Sequence, residues 1–257
     1  MAIGVEWDVP LNEADLQHLV DAYTNNSSMR EFLPSMTPVR ALVLQLSMPG
    51  GGFVPEDRIG GFDLKQFRPD GSIPWALSAR PELVSCNCTD YDRWATVKPR
   101  ALELLNVFVD AALRLGKNIK AVGLQYQDSF TVEGSIDKGA LNSLFRKDSN
   151  WLPNHLLEKH SLWHCHQGWY SISPKERRVL NNFNLDFLEQ APNHLIKING
   201  QHRIFSLRAA GGESSPIGLD ELEQALDFLH SQNKEALRGV LCEEMLDRIG
   251  FDKGEKK

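Results

Sequence analysis

Apolar and polar residues alternate over residues 3–9, and this period of two predicts a short first strand. Pro10 ends it. Asn12 is placed to cap a helix over residues 14–23, where Leu16, Leu19 and Val20 recur at helical spacing, and residues 25–28 close that helix. After Pro34 and Pro38, residues 39–48 are almost continuously apolar, the pattern of a strand central to a sheet, and Gly50, Gly51 and Gly52 break the run. Strand-like pieces follow at 62–67, 73–79 and 82–88, the first two joined by a turn through Pro69, Asp70 and Gly71. Pro99 suits the first turn of a helix whose apolar stripe is Leu102, Leu105, Val109 and Ala112, and which Gly116 stops. Residues 119–132 read as the next strand.

Residues 136–159 hold no sustained period and read as a loop-rich or helical insertion. Segments 169–172, 179–187 and 195–207 are expected to pair as antiparallel strands, with Asn199 and Gly200 supplying a hairpin turn. Residues 210–216 form a linker. Residues 219–249 predict a long helix with Leu222, Leu226, Leu229, Ala236 and Val240 inward and Gly250 at its end. Unbroken, it would be about 45 Å long, with Gly239 the place for a bend. The fold class is therefore α+β: a twisted, mainly antiparallel sheet with helices on one face and a long C-terminal helix. Strands followed by a helix occur twice, which further predicts two similar β-β-β-α halves. These are residues 1–134 and 169–250, joined by 135–168 and followed by a flexible tail at 251–257, with one continuous domain as the alternative.

The 257 residues are enough to bury a sizeable core. Twenty-eight basic against 34 acidic side chains give a formal charge of −6, which counts against non-specific binding to nucleic acid or an anionic membrane. No apolar stretch approaches the roughly eighteen residues of a membrane helix. The opening residues, with Glu6 and Asp8, do not read as a signal peptide. Four cysteines, Cys86, Cys88, Cys165 and Cys242, are too few for a disulfide scaffold, so thiols in a reducing cytoplasm are expected, with Cys242 buried in the long last helix.

Several short features recur in one order along nearly the whole chain. They are the strand Gly4-Val5-Glu6-Trp7, the turn Asp70-Gly71, and the run Ser85-Cys86-Asn87-Cys88 leading to Tyr91 and Trp94. Gly123-Leu124-Gln125-Tyr126 follows, then Leu229, His230 and Asn233 in the last helix. Together they resemble a sporadically distributed family of prokaryotic proteins of about 250–270 residues with no established activity. This chain departs from the pattern by starting later, which would clip the first strand, and by carrying Gln125 where an arginine is usual. The resemblance implies an α+β fold and an accessory role in defence, toxin neutralisation or partner binding. Tyr91, Trp94 and Tyr126 are expected to pack where the sheet meets the first long helix. His230 and Asn233 are expected to hydrogen-bond to the sheet, the alternative being helix pairing in a homo-oligomer.

His155, His160, His164, Cys165 and His166 place five metal-ligating side chains within twelve residues. If the stretch containing His160 and His164 is helical, their rings lie one turn apart on one face, a spacing that zinc sites use. Cys86 and Cys88 would close a four-ligand site, or Glu158 would act as a base beside an open metal, which makes a metal-dependent hydrolase one reading. Neither HExxH nor paired CxxC motifs are present, and no GxSxG elbow or phosphate loop occurs. Lys175, Arg177 and Arg178 form a compact basic cluster; displayed on a sheet with Tyr170, Phe183, Arg203 and Arg208 they would offer bases a stacking platform. The acidic total favours a charged strand edge that discourages aggregation instead. The leading expectation is a non-enzymatic, cytoplasmic protein-binding component without a cofactor. A zinc-dependent hydrolase and an RNA-binding protein are the alternatives.

Overall fold

The structure, a computed structural model, describes residues 1–45, 54–133, 141–158, 162–208 and 215–252. The α+β reading holds: the strands assemble into antiparallel sheet, with helices between them and at the C-terminal end. The chain divides into two units, Met1–Val122 with Ser214–Glu223, and Gly123–Glu213 with Gln224–Lys257.

In the first unit, β1 (Ala2–Trp7) leads to α1 (Glu13–Asn25) and α2 (Ser27–Phe32), then β2 (Ser35–Gln45), β3 (Val54–Lys65), β4 (Trp75–Ala79), β5 (Leu83–Cys88), α3 (Trp94–Arg114) and the start of β6 (Ile119–Val132). Strand order is β2-β3-β4-β5-β1-β6. Asn12 caps α1 as expected. Its side chain accepts from the Asp15 N–H at 2.9 Å, and the Asp15 carboxylate accepts from the Asn12 N–H at 3.0 Å. Burial works to raise the Asp15 pKa, but that hydrogen bond and the Lys117 ammonium at 2.9 Å hold it below the ordinary value. The turn after Phe67 closes with the Gly71 N–H donating to Arg68 O and the Ser72 N–H to Asp70 Oδ1.

Two expectations for this unit are corrected. The strand read as central is β2, which among the described residues stands at the edge of the sheet and pairs with β3. It includes Pro38, whose missing N–H an edge tolerates. The triple glycine after it lies outside the described residues. Helix α3 starts at Trp94, so Pro99 sits inside the helix rather than in its first turn. The stop at Gly116 stands, with Gly116 donating to Leu113 O and Lys117 to Ala112 O.

The second unit holds the rest of β6, the short helix α4 (Asn154–Leu157), β7 (Trp163–Ile172), β8 (Arg177–Gln190) and β9 (Asn193–Arg208). It also holds most of α5 (Leu219–Val240), and α6 (Glu243–Arg248). Its strand order is β6-β9-β8-β7. Alternate residues of β8, Val179, Asn181, Phe183, Leu185 and Phe187, are buried. Of these, Phe183, Leu185 and Phe187 meet Ala236, Leu237 and Val240 of α5 and Leu144, Phe145 and Leu152 in one apolar core.

Asn199-Gly200 is not a turn. Both residues lie within β9, opposite Asn184 and Phe183, and the β8–β9 hairpin turns at Ala191-Pro192. Gly200 is there for space: a Cβ would stand 2.0 Å from Asn233 Oδ1 on α5. The helical segment expected over residues 219–249, with Gly239 the place for a bend, ends as one helix at Val240, about 33 Å from its start. The Val240 carbonyl accepts from the Arg146 N–H, and the Cys242 N–H donates to Leu144 O, so a strand-like bridge between Leu241 and Phe145 takes the groups that would continue the helix. Cys242 caps α6 and is half-buried, its thiol 3.0 Å from Ser143 O. Gly239 marks the seat of the Trp151 ring, where a Cβ would approach within 2.4 Å.

Gly200→Ala is expected to destabilise the protein by about 1–3 kcal/mol in urea titrations, because its methyl overlaps the Asn233 amide. In an Asn233→Ala background the same substitution should cost much less, a coupling that a double-mutant cycle reads directly.

Candidate functional site

Strand alternation sorts the second unit's chemistry onto two faces. On β7, Trp163, Cys165, Gln167, Trp169 and Ser171 share the side of the buried β8 residues, while His164, His166, Gly168, Tyr170 and Ile172 face the other way. On β9, Ile196, Ile198, Gly200, His202 and Ile204 turn toward α5, and Lys197, Asn199, Gln201 and Arg203 turn away.

Beneath α5 lies a connected set of buried polar side chains. His202, 1% exposed, has Nδ1 2.8 Å from Asn181 Oδ1 and Nε2 3.3 Å from Asn233 Oδ1. Asn181 Nδ2 donates to Ser171 Oγ at 2.9 Å, and the Ser171 hydroxyl donates to Gln232 Oε1 at 3.2 Å. Beside this chain, the Tyr126 hydroxyl meets His230 Nδ1 at 2.9 Å. Burial drives the His202 pKa down to about 4, against the opposing influence of the Asn233 hydrogen bond. A neutral imidazole has one N–H. It serves Asn181 Oδ1 from Nδ1 or Asn233 Oδ1 from Nε2, according to the tautomer. The network fastens helix to sheet, and both nitrogens of His202 are engaged within it.

The expected sheet bond of Asn233 is present, and Tyr126 packs against His230 of α5. Tyr91 and Trp94, both half-buried, stand at the start of α3 in the first unit. Asn87 lies there too, on the opposite face of β5 from Cys86 and Cys88. Gln125 donates to Asn199 Oδ1 at 3.1 Å.

Part of the expected metal cluster falls among the described residues. His160 lies outside them, and His164 stands on a strand over residues 163–172 and not on a helix. His164 and His166 face outward, their rings 5.2 Å apart, while Cys165 faces inward toward Trp151 O at 3.9 Å. His155 and Glu158 are exposed at α4. Cys86 and Cys88 belong to the first unit, and burial pushes both thiols up, away from the thiolate a metal needs. Among the described residues no group of three or more His, Cys, Asp or Glu side chains is placed to hold a metal ion.

The basic cluster also divides. Arg177 is buried, 4% exposed, with Nη1 donating to Ser206 O at 2.9 Å. Arg178 points outward with its guanidinium 5.8 Å from the centre of the Tyr170 ring, and Lys175 is exposed in the turn before it. Phe183, expected on a stacking platform, is fully buried beneath α5. Sequence reasoning named Arg203 but missed Phe205, over which it stacks at 4.8 Å, and the exposed Ile172. It also missed Asn181 and His202, whose only signal was polar residues at inward positions of otherwise apolar strands.

No family model and no curated protein matches this chain. Two solved structures align along most of it. The di-domain ARO/CYC StfQ from the steffimycin biosynthetic pathway is 11% identical over 93% of this chain and 95% of that one, with a TM-score of 0.22. The di-domain ARO/CYC BexL from the BE-7585A biosynthetic pathway is 11% identical over 100% and 99%, with a TM-score of 0.18. At these scores the likeness carries no argument about fold or function. No helix among the described residues is long and apolar enough to cross a membrane.

His202 sets a pH dependence. The unfolded chain takes up a proton near pH 6.5, whereas folded His202 resists it until about pH 4, so its contribution is complete above pH 6.5 and fades as pH falls toward 4. The loss is on the order of 3 kcal/mol. Urea unfolding of the wild type and His202→Gln at pH 7.5 and 4.5 should show a shallower decline in the variant; parallel declines would contradict this.

Proposed function

We propose that this chain is a non-enzymatic binding protein that presents the outward sheet face of its second unit to an acidic surface on a partner protein. The observation carrying this reading is an uncovered face with Tyr170 66% and Ile172 62% exposed beside Arg178, next to the Arg203–Phe205 stack. Tyrosine and arginine are the residues on which interface affinity concentrates, since each adds large contact area with directed polar groups. At the outward positions of β7, β8 and β9, Arg178, Lys197 and Arg203 outnumber Asp186, the one carboxylate there among the described residues. In a chain of net charge −6, that local excess of cations favours an acidic partner. The inward face is occupied by α5, which leaves the outward one for contact.

Two similar sheet-and-helix halves, with helices segregated to one side, would suit this use of a bare sheet face. A defence or toxin-neutralising accessory role is the biological setting that the family resemblance suggests. The RNA reading gains nothing here, because Phe183 and Arg177 are both buried.

The test is capture from lysate of the native host with wild-type protein and with a Tyr170→Ala, Arg178→Glu, Arg203→Glu variant. A protein retained by the wild type in low salt, and lost with the variant, is expected. Equal retention by both, or no retained partner, would remove the proposal.

A further inference from the structure

Strand β7 ends the second unit's strand order, and among the described residues it pairs on one side only, with β8. Their register runs without a shift from Trp163↔Phe187 to Ile172↔Arg178. The Ser173 N–H, next in that register, donates to Arg177 O at 2.9 Å. Bonded and non-bonded pairs alternate along an antiparallel ladder, so Trp163, Cys165, Gln167, Trp169 and Ser171 are the residues that bond to β8. The N–H and C=O groups of His164, His166, Gly168, Tyr170 and Ile172 therefore point away from it. All five residues are exposed, and no other backbone hydrogen bond among the described residues reaches these groups. We infer that this edge pairs with β7 of a second copy of the chain, antiparallel, about a twofold axis at Gly168.

The composition of the strand favours its own copy as the occupant. An open edge templates pairing with other chains, and lysine, proline or a bulge ordinarily guards it. Strand β2, at the end of the first unit's strand order, carries such guards in Pro38, Arg40 and a register shift after Val39. Strand β7 carries none of them: its ten residues include no proline, lysine, arginine, aspartate or glutamate, and its register is unbroken. A twofold axis duplicates every charge across the contact, and an uncharged strand escapes that repulsion.

The register follows from the free groups. With Gly168 opposite Gly168 of the second copy, His166 faces Tyr170 and His164 faces Ile172, each in both directions. All five free pairs of backbone groups are then matched, whereas a shift by two residues either way leaves some without partners. Gly168 keeps the axis clear of side chains where the two backbones approach. Each His166–Tyr170 contact is an aromatic cross-strand pair. One strand from each copy makes a narrow interface, so the dimer forms reversibly with concentration. The side chains of Tyr170 and Ile172 stay on the outward face, and the pairing stands whether or not that face docks a partner protein.

Sedimentation of the purified full-length protein from about 1 to about 200 μM should show monomer passing to dimer. Hydrogen exchange should slow with concentration at the amides of His164, His166, Gly168, Tyr170 and Ile172, while the amides bonded to β8 stay protected throughout. His166→Lys combined with Tyr170→Lys sets lysine against lysine on both sides of the axis and should weaken association about tenfold or more. His166→Glu combined with Tyr170→Lys sets opposite charges at the same places and should hold association within about threefold of wild type. Both positions are exposed, so the circular dichroism of both variants should match that of the wild type. A monomeric mass across the whole range, exchange at the five amides that ignores concentration, or equal effects of the two variants would overturn the inference. Protection of those amides that appears only when another protein is added would overturn it too, since the occupant would then be a foreign strand.

Discussion

His202 imposes the constraint from which the second unit's arrangement follows. An imidazole placed under a helix and away from water must find a partner for each nitrogen or lose the hydrogen bonds it made in solution. Asn181 on the neighbouring strand supplies one partner and Asn233 on α5 the other. That pairing fixes where along the sheet the helix rests and how it is rotated. Gly200 allows the approach, since any side chain there would occupy the place of the Asn233 amide. Apolar packing by Leu237 and Val240 gives the helix a reason to dock, and the polar network selects one docked position among several of similar burial.

Once α5 is seated, the two faces of the sheet take different chemistry. The inward face is a core closed by Trp151, Phe183 and Phe187 with the network at one end. The outward face keeps Tyr170, Ile172 and Arg178 in solvent, together with His164 and His166. The outward groups remain accessible, whereas those of His202 are already engaged. Alternation is also why contiguous motifs came apart. A strand sends neighbours to opposite sides, so Cys165 leaves its two flanking histidines and Arg177 leaves Arg178.

Local signals were legible where the physics is local. Asn12 caps α1 because its side chain reaches an N–H three residues away, and Asp70 closes a turn within its own loop. The strands β4, β5, β6 and β8 follow from alternation over a few residues. Errors fell where a distant segment decided the outcome. Asn199-Gly200 has a turn's composition but serves helix packing. The last helix has continuous helical periodicity, yet Leu144 and Arg146 take its backbone groups at Cys242 and Val240. Pro99 is accommodated inside α3, against its usual preference for a first turn.

By itself the sequence determined the fold class, most element types and the inward stripes of α3 and α5, because propensity, capping and periodicity act over a few residues. Asn181 and His202 carried one signal there, polar residues at inward positions of apolar strands, and the sequence reading passed over it. Only the tertiary structure decided which partners those residues take. It alone brought Asp186 beside His164 and His166, and left Tyr170 and Arg178 on an open face. Strand register and helix docking join residues far apart in the chain, and no local pattern encodes their distance.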